Sequence, residues 1–414
     1  MRAFASPASW PVAWVLASWF IGASAVAAGP TFSRDGPDAA AYGQAAGFPV
    51  PKPGMASEAM TQQHYVGLHS RYDRYRNLRP VPTSSPASPL KRQEPELELS
   101  YQSRGRSTSI IEYLRAYPVT GLLIAKDDTI LFEHYQYARS DTDRLLSHSM
   151  AKTITGLLVG AALEDGAIRS IDDPASTYVQ ELEGTEYGAT PIRALLLMAS
   201  GIAFAEEYRP GDGVSRLVQA LTGPQAPGAV AAVRQFGARA AAPGTVFNYS
   251  SADSEVLGLV VSRATKTPLA EYFSKRLWGP LGAEADAAWD IDPTGQELGF
   301  CCVVARLRDW ARLGLMIAND GQWNGRQVVS RQWLYETTTP DRSLSGRYGY
   351  QIWLSNEPRR HYLLRGVLGQ FVMIDPATRL VLVQTAVHAK PNDSGADVEL
   401  QALWTALLAR YGLR

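Results

Sequence analysis

The chain has 414 residues, 40 Lys+Arg against 40 Asp+Glu, and hence no formal net charge; 46% of its residues are hydrophobic. That apolar share supports a large buried core and excludes a wholly disordered chain. The even charge balance argues against nucleic acid as a partner, because neutralising a phosphate backbone takes a cationic surplus.

In chain order, Arg2 precedes an uncharged run from Trp10 to Ala28 that contains the small-x-small site Ala25-Val26-Ala27. This layout predicts a signal peptide over 1–28, hence a periplasmic or secreted protein with no membrane attachment after cleavage. The alternative is an uncleaved anchor, since about 20 apolar residues span a bilayer. Residues 29–98 carry Pro30, Pro37, Pro49, Pro51, Pro53, Pro80, Pro82, Pro86, Pro89 and Pro95. They predict a Pro-rich leader and linker, with the aromatic stretch Tyr65 to Tyr75 able to pack on the main domain.

The main domain is expected over 99–414. Residues 120–135 predict a hairpin turning at Asp127-Asp128. Helices are expected over 149–163, over 192–200 behind Thr190-Pro191, and over 254–264, 269–277 and 308–317. Strands over 348–354, 361–364, 370–374 and 380–387 and a closing helix over 400–411 complete the pattern. Early hairpin, central helices and late strands predict an α+β fold: one antiparallel sheet built from both chain ends, flanked by helices, with an all-helical region inserted. Cys301 and Cys302 are adjacent. Neighbouring Cα atoms lie about 3.8 Å apart, below the usual disulfide range of about 4.4–6.8 Å. Two buried thiols are therefore expected, with a strained vicinal disulfide as the alternative. The six histidines show no zinc-binding spacing.

No G-x-S-x-G, Walker A or G-x-G-x-x-G occurs. Two S-x-x-K patterns do, Ser88–Lys91 and Ser149–Lys152. Ser88 sits in the Pro-rich stretch and is followed by proline. Ser149 opens a predicted helix, where i and i+3 share a face, so Lys152 stacks one turn from the serine. A serine hydroxyl needs a base, and lysine serves once burial or a neighbouring cation favours its neutral form. The bland reading is a serine cap and a snorkelling lysine. Downstream, Tyr249 in the Asn248-Tyr249-Ser250-Ser251 turn is a second candidate base. Gly366 and Gly369 lie between predicted strands, where a backbone N–H can face a reacting carbonyl.

These segments, in this order, resemble the serine β-lactamase/penicillin-binding-protein superfamily over about residues 105–414, and within it the class C-type hydrolases of the carboxylesterase and 6-aminohexanoate-dimer hydrolase branches. The resemblance implies a β-lactamase-like fold and an acyl-enzyme mechanism without metal or cofactor. It makes Ser149 the nucleophile, Lys152 its base, and Tyr249 the second-motif tyrosine. It implies an oxyanion hole from the backbone N–H groups of Ser149 and Val367. Ser251, Gly366, Tyr208 and His388 fall at substrate-side positions; a loop tyrosine and an end-of-strand histidine are also ordinary structural residues. The third motif departs from the family's Lys-Thr-Gly: here it is Leu364-Arg365-Gly366. The expected partner is a small-molecule ester or linear amide. β-Lactamase or D-Ala-D-Ala carboxypeptidase activity, and a sensor acylated without turnover, are the alternatives.

Overall fold

A computed structural model describes Met1 and residues 29–83, 86–223, 225–355 and 359–412. Apart from Met1, the expected signal peptide lies outside these residues. Among them, no helix is long and apolar enough to cross a membrane.

The centre is a sheet whose main path runs Thr31–Phe32, Thr129–Tyr135, Val119–Lys126, Leu380–Ala386, Gln370–Asp375, His361–Gly366 and Trp353–Ser355. The early hairpin forms as expected, and its first strand pairs antiparallel with Leu380–Ala386, so the two chain ends meet at the sheet centre. Period-two alternation sends Leu122, Ile124, Leu380 and Leu382 to one face and Leu123, Ala125, Val381 and Val383 to the other. Both faces are covered, so these strands read as nearly continuous apolar runs. The first face meets the helix Ser394–Tyr411 through Leu400, Leu403, Trp404 and Leu407. Asp393 caps that helix, accepting from the N–H groups of Gly395 and Ala396. The second face meets the helix Leu307–Ala318 and, beyond it, the helical region. Two long helices dominate that region, Ala151–Glu164 and Ser251–Thr265.

Several elements differ from expectation. The helix behind Pro191 is confined to Ile192–Leu196, and the chain leaves it at Met198 with φ +55°. The side chain of Thr190 does not cap it; its hydroxyl donates to the carbonyl of Glu186 at 2.7 Å. The expected strand over 348–354 shrinks to Trp353–Ser355. A four-stranded sheet that the sequence pattern did not predict runs Leu78–Val81, Ala287–Asp290, Val303–Ala305 and Leu145–Leu146.

The segment expected as a leader and linker is not a free tether. Thr31–Phe32 and Lys91–Arg92 both pair in parallel with Thr129–Tyr135. Between them lies the helix Gln62–Ser70, and Tyr72 donates its phenol proton to buried Asp290 at 2.8 Å. Leu78–Val81 forms an edge of the small sheet. Proline is compatible with edge strands and extended chain, so a proline-rich segment can still dock when aromatic side chains anchor it.

Candidate active site

The small sheet delivers Ser149, the expected nucleophile. The strand Leu145–Leu146 runs into Ser147, whose N–H donates to Val303 O at 2.9 Å and whose hydroxyl accepts from Val303 N at 3.0 Å. One 3-10 turn, His148–Met150, then carries Ser149 onto the N-terminus of the helix Ala151–Glu164. His148 has φ +46°, a left-handed backbone that non-glycine residues hold only when their surroundings impose it.

Lys152 is 1% exposed, and its Nζ donates to Ser149 Oγ at 2.9 Å, to Ser251 Oγ at 3.0 Å and to Phe300 O at 3.3 Å. Helical i, i+3 spacing thus brings serine and lysine together as expected. Burial lowers the Lys152 pKa to about 8, with Glu206 and Glu255 pulling in the opposite direction. The Tyr249 ring lies 5.0 Å from Lys152 Nζ and stacks on Trp353 at 5.3 Å. Ser149 lies close enough to the Tyr249 phenol to favour its ionised form. Burial pushes that phenol upward, Glu206 adds to the rise, and Ser149 opposes it.

Glu206 is the residue that sequence reasoning missed. Ser251 accepts from Lys152 and passes its own proton toward Glu206 Oε1 at 2.9 Å, while Ser251 N–H donates to Oε2 at 2.7 Å. Tyr208 donates to the same Oε1 at 3.0 Å. Tyr208 and Ser251 are therefore joined to the Ser149–Lys152 pair through one carboxylate. A loop reading Ala-Glu-Glu-Tyr gives no periodic signal that one glutamate turns inward.

Gly366 ends its strand against the turn that carries Ser149. A Cβ there would come within 2.4 Å of Ser147 O and 3.1 Å of His148 Cβ, so only glycine permits this approach. Val367 is the next residue. His388 lies beneath the 367–369 turn: its N–H donates to Leu368 O at 3.1 Å, and its ring is 2.7 Å from where a Cβ on Gly369 would sit. Leu364 is 1% exposed within the core, while Arg365 points away from Leu364 and donates to Asp397 of the closing helix at 2.6 Å. The third motif thus directs no cation along the Leu364 face.

The other S-x-x-K pattern makes no pair. Lys91 bonds Asp128 at 2.8 Å, and Ser88 is pinned through its backbone to Gly282 and Arg312. Cys301 and Cys302 are disulfide-bonded to each other, the alternative rather than the expected thiols.

Known proteins resemble this chain over most of its length. A curated 6-aminohexanoate-dimer hydrolase of Paenarthrobacter ureafaciens is 27% identical over 363 residues, covering 83% of this chain and 92% of the relative. A solved Bacillus anthracis structure, named as a candidate 6-aminohexanoate-dimer hydrolase, superposes with TM-score 0.77 at 22% identity, over 86% of this chain and 97% of that one. A family VIII carboxylesterase structure gives TM-score 0.53 at 16% identity, over 70% and 93%. The family model described as Beta-lactamase matches residues 108–403, most of the chain. With that match over the Ser149–Lys152 helix, the Tyr249 turn and the Gly366 strand, the chain belongs to the beta-lactamase family and is a serine-type hydrolase.

Proposed function

We propose that this hydrolase is exported and cleaves an uncharged ester or a small linear amide through an acyl-enzyme on Ser149. The observation that carries the reading is the buried Lys152 amine 2.9 Å from Ser149 Oγ. Neutral Lys152, with Tyr249 beside it, takes the serine proton as Oγ attacks the carbonyl. The N–H groups of Ser149 and Val367 receive the developing oxyanion, a role supported by the close packing of Gly366 on the nucleophile turn. Tyr249 and Lys152 return the proton to the leaving group, and water then releases the acyl chain. Ser251 and Glu206 hold the lysine in place. Tyr208 and His388 border the substrate side. The name of the Paenarthrobacter relative supports the linear-amide arm.

Substrate charge decides between this reading and β-lactam chemistry. A charge-assisted hydrogen bond to a substrate carboxylate is worth about 1.5–3 kcal/mol, or roughly one to two decades in kcat/KM. Leu364 lies where the family's lysine would supply it, and Arg365 is committed to Asp397. Short-chain p-nitrophenyl esters should exceed nitrocefin by at least about tenfold in kcat/KM. Nitrocefin hydrolysis matching the best ester would favour the β-lactamase reading. A burst that stops at one equivalent would favour the sensor. Replacing Leu364 by Lys does not test this point, because the position is core and an unpaired ammonium there would destabilise the fold.

The pH profile offers a separate test. The reactive form of Lys152 is neutral, so activity should rise with pH through about 8. Glu206 favours the ammonium; Glu206→Gln removes that help and lowers the lysine pKa further. The acidic limb of kcat/KM should therefore move to lower pH in the variant. A limb that stays in place would remove Glu206 from the electrostatics of Lys152.

A further inference from the structure

A second cluster of reactive side chains lies one residue from the nucleophile, and the hydrolytic mechanism does not use it. A ring nitrogen of His148 and the sulfurs of Cys301 and Cys302 lie within 4.8 Å of one another. His148 Nε2 is 2.8 Å from Nε2 of His69, on the helix Gln62–Ser70 of the N-terminal segment. His69 Nδ1 is 2.7 Å from the carbonyl of Tyr65. A carbonyl only accepts, so His69 Nδ1 carries a proton. Two imidazole nitrogens 2.8 Å apart share one proton, and neutral His69, with its proton on Nδ1, offers Nε2 only as an acceptor. His69 Nε2 is then the acceptor and His148 Nε2–H the donor, which leaves the lone pair on His148 Nδ1. A histidine fixed in this way, its far N–H held by a second buried group, is the arrangement that orients metal-ligating imidazoles.

We propose that, once reduced, Cys301 and Cys302 join His148 as a three-ligand site for a thiophilic divalent cation such as Zn2+ or Cd2+, with His69 orienting His148, and that occupancy suppresses hydrolysis. A tetrahedral ion holding two thiolates at about 2.3 Å keeps them about 3.8 Å apart, so the S–S bond must open first. A small dithiol opens it by exchange: the dithiol is oxidised to its own disulfide, and the two protein sulfurs gain the electron pair and two protons. Binding the cation then releases those two protons to solvent. Two sulfurs and one nitrogen suit a soft or borderline ion and leave the fourth position to water.

The link to activity is short. Cys302 N–H donates to His148 O at 3.3 Å, and His148 is peptide-bonded to Ser149. On the other side, Phe300, next to Cys301, presents the carbonyl that receives Lys152. A chelate that repositions either cysteine therefore moves the frame of both the serine and its base.

The test is a Cd2+ titration of the full chain, reduced by a dithiol and then freed of it without air. One equivalent should produce the ultraviolet thiolate-to-metal charge-transfer band and lower ester hydrolysis at least about tenfold, reversibly with EDTA. Untreated, disulfide-bonded protein should show neither. Cys301→Ser/Cys302→Ser should lose the band and hydrolyse ester insensitively to Cd2+. Carboxymethylating the reduced wild-type thiols should abolish the band without a mutation. His69→Ala should weaken Cd2+ affinity about 10–100-fold although it removes no ligand. No band in reduced wild type overturns the site. Undiminished affinity in both His69→Ala and His148→Ala overturns the role of the histidines. A band without loss of hydrolysis overturns the coupling to the nucleophile.

Discussion

Ser149→Ala should lower kcat by about 10³–10⁶ and abolish labelling by a fluorophosphonate, with the melting temperature nearly unchanged. That range corresponds to about 4–8 kcal/mol of lost transition-state stabilisation. It is large because the serine supplies the bond-forming atom, and Ser251, the other hydroxyl beside Lys152, is committed as a donor to Glu206. The matched control is Ser88→Ala, which should retain normal turnover. Both serines satisfy S-x-x-K, yet Lys91 is bonded to Asp128 at the surface while Lys152 is buried against Ser149. Normal hydrolysis by the Ser149 variant, with loss on Ser88→Ala, would overturn the assignment of the site.

The second large effect concerns Lys152 and Tyr249 as a unit. Lys152→Ala and Tyr249→Phe should each cost several orders of magnitude in kcat, and the double variant little more than the worse single one. Groups that move one proton together are strongly non-additive. The geometry supports such coupling, since the amine lies 2.9 Å from Ser149 Oγ and 5.0 Å from the centre of the Tyr249 ring. Tyr249→Phe keeps the ring that stacks on Trp353, so its loss reports the hydroxyl rather than packing. Additive losses in activation free energy, measured on a soluble ester, would refute the shared relay while leaving Ser149 in place.

The parts of this molecule that were legible in the sequence are those set by local periodicity. The hairpin, the helix behind Ser149, the closing helix and three of the four late strands arise from apolar spacing and turn residues. The Ser149–Lys152 contact arises from helical geometry alone. What stayed hidden depends on distant partners. The small sheet is built from strands of two to four residues, too short to show alternation, and Leu78–Val81 finds its partner only at Ala287–Asp290. Glu206 becomes recognisable only when its loop folds over Ser251. The central strands, covered on both faces, lost the clean alternation that marks a half-exposed sheet.

The docking of the N-terminal segment fixes the order in which this chain can fold as it is made. Tyr42 donates to the carbonyl of Val387, 345 residues later, Tyr72 bonds Asp290 across 218, and Thr120 bonds Thr385 across 265. At roughly 5–20 residues per second, a ribosome takes about 20–70 s to add 345 residues. Throughout that interval Tyr42 lacks its acceptor on Val387, although Thr31–Phe32 can pair with His134–Tyr135 and Tyr42 can pack on Tyr137 much earlier. Pairings this remote also carry the loop-closure cost that slows nucleation. The turn that carries Ser149 is likewise closed late, since Gly366 packs on Ser147 only after its strand has emerged.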